Sequence, residues 1–172
     1  MKTSYFSKKT SLYFLLFAIL FLSSCDLFND DDTPDQLPEA TQTGANTFGF
    51  KVNGETINIT NTSGQTAIYQ GGGIQFGAGG VYIVALDPFK TDVSYDFKDI
   101  GEGTSRAKYT KKISENTFCL YEYGNTYKGY VTFTKIDKVN YIISGIFEFS
   151  TKTDDCQDIK ITEGRFDMRY IP

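Results

Sequence analysis

Apolar and polar residues alternate with a period of two from Thr47 to the end of the chain. This alternation is typical of half-buried β-strands, and turn residues such as Asn53-Gly54 and Asp137-Lys138 divide it into short segments. No segment in this region shows the spacing of an amphipathic helix. The pattern predicts the strands Thr47–Asn53, Glu55–Thr60, Ala67–Gln70, Gly73–Phe76, Val81–Asp87, Val93–Phe97, Arg106–Ser114, Thr117–Tyr123, Tyr127–Ile136, Tyr141–Ser150 and Asp158–Tyr170.

The last two predicted strands indicate which side chains face the core. In the first, the inward set is Tyr141, Ile143, Gly145, Phe147 and Phe149. In the second, the alternation shifts at Glu163-Gly164, which predicts a β-bulge, and Phe166, Met168 and Tyr170 then face inward. The outward residues Arg165, Asp167 and Arg169 are expected to form cross-strand ion pairs. Many short antiparallel strands with tight turns predict an all-β fold, a single antiparallel β-sandwich or β-barrel.

The start of the chain has a different pattern. Lysines at positions 2, 8 and 9 precede an uninterrupted apolar run from Leu12 to Leu22. A membrane-spanning helix needs about 20 apolar residues, so this run is too short to cross a bilayer. The charged start and the small residues Ser23-Ser24 instead predict a secretory signal peptide.

The residues Phe21-Leu22-Ser23-Ser24-Cys25 resemble the lipobox of bacterial lipoproteins. That resemblance implies cleavage between Ser24 and Cys25 and acylation of Cys25, which places the protein on the bacterial envelope. Two or three acyl chains hold a protein firmly on a membrane, whereas one does so only marginally. An ordinary signal peptide with a cysteine near the cut is the alternative.

Residues 26–46 carry many acids together with Pro and Thr and few apolar residues, a composition that predicts a flexible linker. The expected organisation is a signal peptide at 1–24, a lipidated acidic linker at 25–46 and a β-domain at 47–172. The cluster Asp30-Asp31-Asp32 resembles the acidic export signal of surface lipoproteins of Bacteroidota, although a solvated spacer explains it equally well. We therefore expect the outer membrane and leave the periplasmic or surface side open.

The charge of the chain restricts its binding partners, and its cysteines predict a disulfide. Removing residues 1–24 from the 172 leaves 148 residues, and since 17 basic residues fall to 14 against 21 acids, the mature net charge is −7. This balance argues against nucleic acid and against charge-driven docking on anionic lipid. The oxidising envelope favours a disulfide between Cys119 and Cys156, with a buried strand cysteine and a loose loop thiol as the alternative.

The chain has no histidine, which excludes imidazole-based nucleophile activation, proton shuttling and histidine metal sites. No metal and no cofactor are expected. Carboxylate catalysis stays open because Glu115, Glu122, Glu148 and Glu163 lie on or beside predicted strands.

Aromatic residues are the best candidates for binding. Phe118 to Tyr130 carries aromatic side chains on both faces of a predicted hairpin, so one set covers the core and the other is available to a ligand. The candidate ligand-facing residues are Tyr121, Tyr123, Tyr127 and Tyr130. Strand propensity and core packing are the alternative explanation for the same residues.

Three segments, GYVTFTKID, NYIISGIFEFS and IKITEGRFDMRY, resemble the C-terminal half of a Bacteroidota lipoprotein family of unknown function, and TGANTFGFKVNGETI is similar to its first strand pair. The resemblance implies a secreted, lipid-anchored β-domain and carries no chemistry. The function we expect is non-enzymatic binding or scaffolding, with a glycan or a protein at the cell surface as partner. The alternatives are a lipocalin-like barrel for a small apolar ligand and a carboxylate-dependent hydrolase.

Overall fold

The computed structural model describes residues 36–97 and 105–172, and these form an all-β structure. The signal peptide, Cys25 and the acidic cluster lie outside the described residues. The strands are β1 Thr47–Val52, β2 Glu55–Ile59, β3 Gln65–Gln70, β4 Gly73–Ala78, β5 Val81–Leu86, β6 Ser94–Asp96, β7 Ser105–Ser114, β8 Thr117–Tyr121, β9 Thr126–Asp137, β10 Ile142–Thr153 and β11 Cys156–Arg169. Within the described ranges the helical elements are the 3-10 turns Thr62–Gly64 and Tyr123–Asn125.

The strands form two antiparallel sheets. The six-stranded sheet has the order β2-β1-β11-β10-β9-β6, and the five-stranded sheet has the order β3-β4-β5-β7-β8. The sheets do not close into a barrel, which resolves the predicted choice in favour of a β-sandwich. The expected alternative of a lipocalin-like barrel is therefore not the architecture of this chain.

Aromatic side chains from both sheets meet in the core. Phe76 of the five-stranded sheet lies 4.5 Å from Phe166 of the six-stranded sheet, measured between ring centroids. Phe48, Phe50 and Phe147 pack beside them and are completely buried. Burying a side chain of this size contributes about 2–3 kcal/mol, so the alternating aromatic residues hold the sheets together.

The predicted strands are confirmed, and so are the predicted inward-facing residues except Tyr141, which lies in the turn before β10 and is 43% exposed. Every predicted strand is present, and the larger differences are at ends, where β3 begins at Gln65 and β10 continues to Thr153. The bulge is also confirmed, because Thr162 and Glu163 both lie between the register pairs Phe147–Gly164 and Phe149–Ile161. Beyond it Phe166 and Met168 are buried in the core, as the shifted alternation predicts.

Residues 36–46, predicted to belong to a flexible linker, lie on the outer face of the six-stranded sheet. We call this segment the strap. The Asn58 side chain donates a hydrogen bond to the Gln36 carbonyl, and Lys135 donates one to the Gln42 carbonyl. Gly49 leaves room for the strap, since a Cβ there would meet the Pro38 ring at 2.5 Å. The described β-domain therefore begins earlier than the predicted boundary at residue 47.

Candidate functional site

A shallow groove runs across the outer face of the six-stranded sheet beside the strap. It consists of three adjoining depressions of about 400, 210 and 170 Å³ that share Tyr130. We call it the Tyr130 groove. Its lining includes Asp96, Phe97, Tyr127, Lys128, Tyr130, Ile146, Glu148, Lys160, Glu163, Arg165 and Ala40 of the strap. Two of the predicted ligand-facing aromatic residues thus lie together on one surface.

A bulge in β9 places the aromatic pair. Lys128 pairs with Ser150 and Thr126 with Thr151, so Tyr127 is the extra residue between these two pairs. Bulges bend the local strand and redirect the side chain. Tyr127 is 61% exposed, and Lys152 Nζ lies 5.7 Å from its ring centroid. A cation at this distance restrains the ring while leaving most of it free for a ligand.

Gly129 is needed between the two tyrosines. Its φ is +151°, and a Cβ there would collide with the Glu148 carbonyl oxygen and the Phe149 side chain. Its carbonyl accepts a hydrogen bond of 2.9 Å from the Phe97 backbone N–H. This hydrogen bond joins the end of edge strand β6 to β9. The buried Phe97 side chain forms the base of the groove.

Tyr130 is a neutral hydrogen-bonding group at physiological pH. Partial burial raises the pKa of its phenol, and the negative charge of Glu148 beside it raises the pKa further. The side chain is half-buried, so it offers both a ring edge and a hydroxyl to the groove. A neutral phenol both donates and accepts hydrogen bonds, which suits a ligand rich in hydroxyl groups.

Two of the predicted catalytic carboxylates lie in the groove, and both have partners. Glu148 Oε1 accepts a hydrogen bond of 3.3 Å from the Glu163 backbone N–H. Glu163 forms an ion pair of 2.7 Å with Lys51 and is about half exposed. Both are therefore available as hydrogen-bond acceptors at the groove wall, where one is neutralised by a lysine.

The strap is fixed to the sheet by Asp167, a residue whose role the sequence analysis did not predict. Only 1% of Asp167 is exposed. Its carboxylate accepts hydrogen bonds from Thr41 Oγ1 (2.6 Å), Thr43 N (2.9 Å), Thr43 Oγ1 (3.3 Å), Gly44 N (2.8 Å), Ala45 N (3.1 Å) and Ser144 Oγ (2.7 Å). Burial opposes its ionisation, but these donors outweigh burial and hold the pKa of Asp167 well below its usual range.

The other two predicted ligand-facing tyrosines lie elsewhere. Tyr121 is 1% exposed, stacks on Tyr109 with ring centroids 6.0 Å apart and donates a hydrogen bond to the Gln157 carbonyl. The prediction that Tyr121 faces a ligand is therefore wrong, because its side of β8 faces the core between the sheets. Tyr123 lies in the second 3-10 turn, with Arg106 at 4.8 Å from its ring centroid.

The predicted disulfide is confirmed. Cys119 of β8 is bonded to Cys156 of β11, so the bond joins the two sheets. Beside it a second depression of about 510 Å³ lies between the sheets. Its lining includes Val52, Glu55, Ile57, Tyr109, Lys111 and Gln157.

Three further observations concern metal sites, membrane-spanning helices and similarity to known proteins. Over the described ranges no group of three or more His, Cys, Asp or Glu residues is placed to hold a metal ion. In the same residues no helix is long and apolar enough to span a membrane. No protein-family model, no curated protein and no solved structure matches this chain.

Proposed function

We propose that the protein is a lipid-anchored protein of the bacterial envelope whose β-sandwich acts by binding, and that the Tyr130 groove takes an extended saccharide. The observation that carries the proposal is that Tyr127 and Tyr130 line the same open depression of the groove. Aromatic rings pack on the C–H faces of sugars, and their hydroxyl groups supply hydrogen bonds. Neighbouring carboxylates and lysines add acceptors and donors for sugar hydroxyls.

The shape and the chemistry of the groove favour binding over hydrolysis. The three depressions follow one another from edge strand β6 to the strap, which suits an extended chain better than a small enclosed substrate. Glu163 is paired with Lys51. A catalytic carboxyl group must lie within hydrogen-bond reach of the substrate, whereas the 2.7 Å contact holds Glu163 Oε1 against the Lys51 ammonium group.

The cellular location is a separate part of the proposal and rests on the resemblance of residues 21–25 to a lipobox. Acylated Cys25 holds the mature chain on the outer membrane in a Bacteroidota-type envelope. The Cys25→Ala variant is expected to lose incorporation of labelled fatty acid, with Cys119→Ala as the matched control that retains it. Incorporation that persists in the Cys25→Ala variant would refute lipid anchorage.

Protease treatment of intact cells decides which side of the membrane carries the domain. Cleavage places it on the surface, where extracellular glycans are within reach. Full protection places it in the periplasm, where the glycan of the cell wall is the accessible saccharide.

Binding is tested by calorimetry with the mature chain and a panel of neutral and acidic oligosaccharides. Tyr127→Ala and Tyr130→Ala are each expected to weaken binding about tenfold, as loss of an aromatic contact does. Tyr141→Ala is the matched control, because Tyr141 is 43% exposed and lies outside the groove. Equal losses in all three variants, or no binding to any saccharide, would contradict the assignment.

Hydrolysis is the competing outcome of the same experiment. Release of shorter sugars by the mature chain, abolished in the Glu148→Gln variant, would identify the groove as an active site. Our proposal expects the bound oligosaccharide to be recovered intact.

A further inference from the structure

The β7–β8 hairpin carries three large apolar side chains in solvent, two on its outer face and one, Ile113, at the bulge between the register pairs of Lys112 and Ser114. Ile113 is 55% exposed, Phe118 50% and Leu120 55%. Phe118 pairs with Lys112 and Leu120 with Thr110, so apolar and basic or polar side chains lie across from each other on one face. We call this surface the hairpin face. Half-exposed apolar side chains gathered in one place mark an interaction surface.

The hairpin face is basic although the chain as a whole is acidic. The outward side chains of β7 include Arg106, Lys108 and Lys112 and no acidic residue, whereas Lys111 pairs with the disulfide-bonded Cys119 and lines the depression between the sheets. Lys108 Nζ lies 5.4 Å from the Tyr123 ring centroid and 3.9 Å from a carboxylate oxygen of Glu122. Lys112 is exposed and has no ion pair among the described residues. The net charge of −7 therefore conceals a local cationic surface.

We propose that the hairpin face docks on the anionic headgroups of the bilayer that carries the protein. Apolar side chains that enter the headgroup region, flanked by lysines that reach the phosphates, are the usual composition of a membrane-docking surface. Long lysine side chains lay their methylene groups along apolar surface and extend the charge to the headgroups. Lys112 is the cross-strand partner of Phe118, which places the two side chains next to each other on this face.

The length of the tether supports a lipid occupant, and this argument rests on the proposed acylation of Cys25. Residues 26–35 separate Cys25 from the first described residue, and ten residues span at most about 35 Å. The two sheets of a sandwich lie about 10 Å apart, so either outer face is within reach of the bilayer. Tethering of this kind gives a weakly binding surface a high local concentration of lipid.

Docking in this way orients the candidate site. The hairpin face belongs to the outer side of the five-stranded sheet, whereas the Tyr130 groove lies on the outer side of the six-stranded sheet. Contact of the first surface with lipid turns the second away from the membrane. The groove then faces the space from which a ligand arrives.

The test uses the mature chain with Cys25→Ser, so that no acyl chain contributes to binding. The probes are vesicles of phosphatidylcholine alone and vesicles containing about 30% phosphatidylglycerol. We expect co-sedimentation with the anionic vesicles only. The double substitution Phe118→Ser and Leu120→Ser should weaken it about tenfold or more, and Lys112→Glu at least about fivefold.

Matched controls come from the turn between β9 and β10. Val139 is 84% exposed and Lys138 is exposed, so Val139→Ser and Lys138→Glu repeat the same chemical changes on another surface. Both should sediment like the parent chain, and circular dichroism checks the fold of every variant.

Two results would overturn the proposal. One is absence of co-sedimentation with anionic vesicles. The other is a concentration-dependent dimer that the Phe118→Ser and Leu120→Ser substitutions abolish, because it would assign the hairpin face to protein contacts. Either result leaves fatty-acid labelling at Cys25 intact, so docking can fail without lipid anchorage failing.

Discussion

At the scale of single residues, Asp167 shows how tertiary contacts change the meaning of a position. Its place in the alternation predicts an outward side chain with an ion-pair partner. It does point away from the core, but the strap covers it and supplies neutral donors in place of a cation. Arg165 and Arg169 likewise donate to the backbone carbonyls of Pro38 and Asn140 rather than to acids.

Removing the Asp167 carboxylate is expected to destabilise the protein strongly. Asp167→Ala leaves several buried donors without an acceptor, and hydrogen bonds to a charged group contribute about 1.5–3 kcal/mol each, so a loss of about 3 kcal/mol or more is expected. Chemical denaturation measures it. Asp158→Asn, an exposed position on the same strand, is the control and should change stability by less than about 0.5 kcal/mol.

Asp167 also predicts a pH dependence of stability. Its pKa is lowered in the folded state, so its contribution is fully present above the unfolded pKa of about 4 and is lost as pH falls towards the folded value. The free energy of unfolding should therefore decrease below pH of about 4. In Asp167→Asn the decrease should be shallower, and an unchanged slope would contradict this account.

At the scale of elements, the β9 bulge and the strap decide where the candidate site lies. The alternation of β9 predicts a strand but gives no sign that Tyr127 is an extra residue in the register. The composition of residues 36–46 predicts a flexible linker, because low apolar content does not repay the entropy of ordering. Hydrogen bonds to Asp167 supply the stabilisation that hydrophobic burial does not provide. The ordered strap then borders the groove at Ala40.

Gly129→Ala tests the bulge. The added Cβ collides with the Glu148 carbonyl and the Phe149 side chain, so we expect a loss of more than about 2 kcal/mol together with weaker saccharide binding. Gly71→Ala is the matched control. Gly71 has φ +62° with nothing within 4 Å of an added Cβ, so only the backbone cost of about 1 kcal/mol should appear. Equal losses of unfolding free energy in Gly129→Ala and Gly71→Ala would show that the close backbone approach at Gly129 does not matter.

At the scale of the whole molecule, the disulfide is the covalent link between the sheets. Cys119 and Cys156 are 37 residues apart and lie on strands of different sheets, with 6.1 Å between their Cα atoms. Ile171 adds a second connection by bridging Ile68 on edge strand β3. Both connections add to the core packing and to hydrogen bonds between the sheets such as Tyr121 Oη to the Gln157 carbonyl.

Loss of the disulfide should lower stability without changing the fold. A loop of this length gives about 4 kcal/mol in the chain-entropy account. The free energy of unfolding of the double variant Cys119→Ala and Cys156→Ala should be lower by about this amount, so the variant should unfold at a lower denaturant concentration. Reductant should lower the free energy of unfolding of the parent chain by a similar amount. Reductant should leave the double variant unchanged. A shift of the double variant in reductant would show that another effect is being measured.

The sequence by itself determined the all-β class, the strands, the bulge at Glu163 and the inward set of β10 and β11 apart from Tyr141. These follow from a period of two and from turn residues, both of which are local. The disulfide followed from the predicted export and the cysteine count, because the two cysteines beside the predicted lipidation site would have few alternatives in an oxidising compartment.

Only the tertiary structure decided between sandwich and barrel, because closure depends on which edge strands meet. Contacts distant in sequence also placed Tyr121 in the core, ordered the strap through Asp167 and brought Tyr127, Tyr130 and Glu148 into the lining of one groove. A local pattern states which face of a strand is apolar. It does not state what covers the other face, and that is where this protein carries both its candidate groove and its hairpin face.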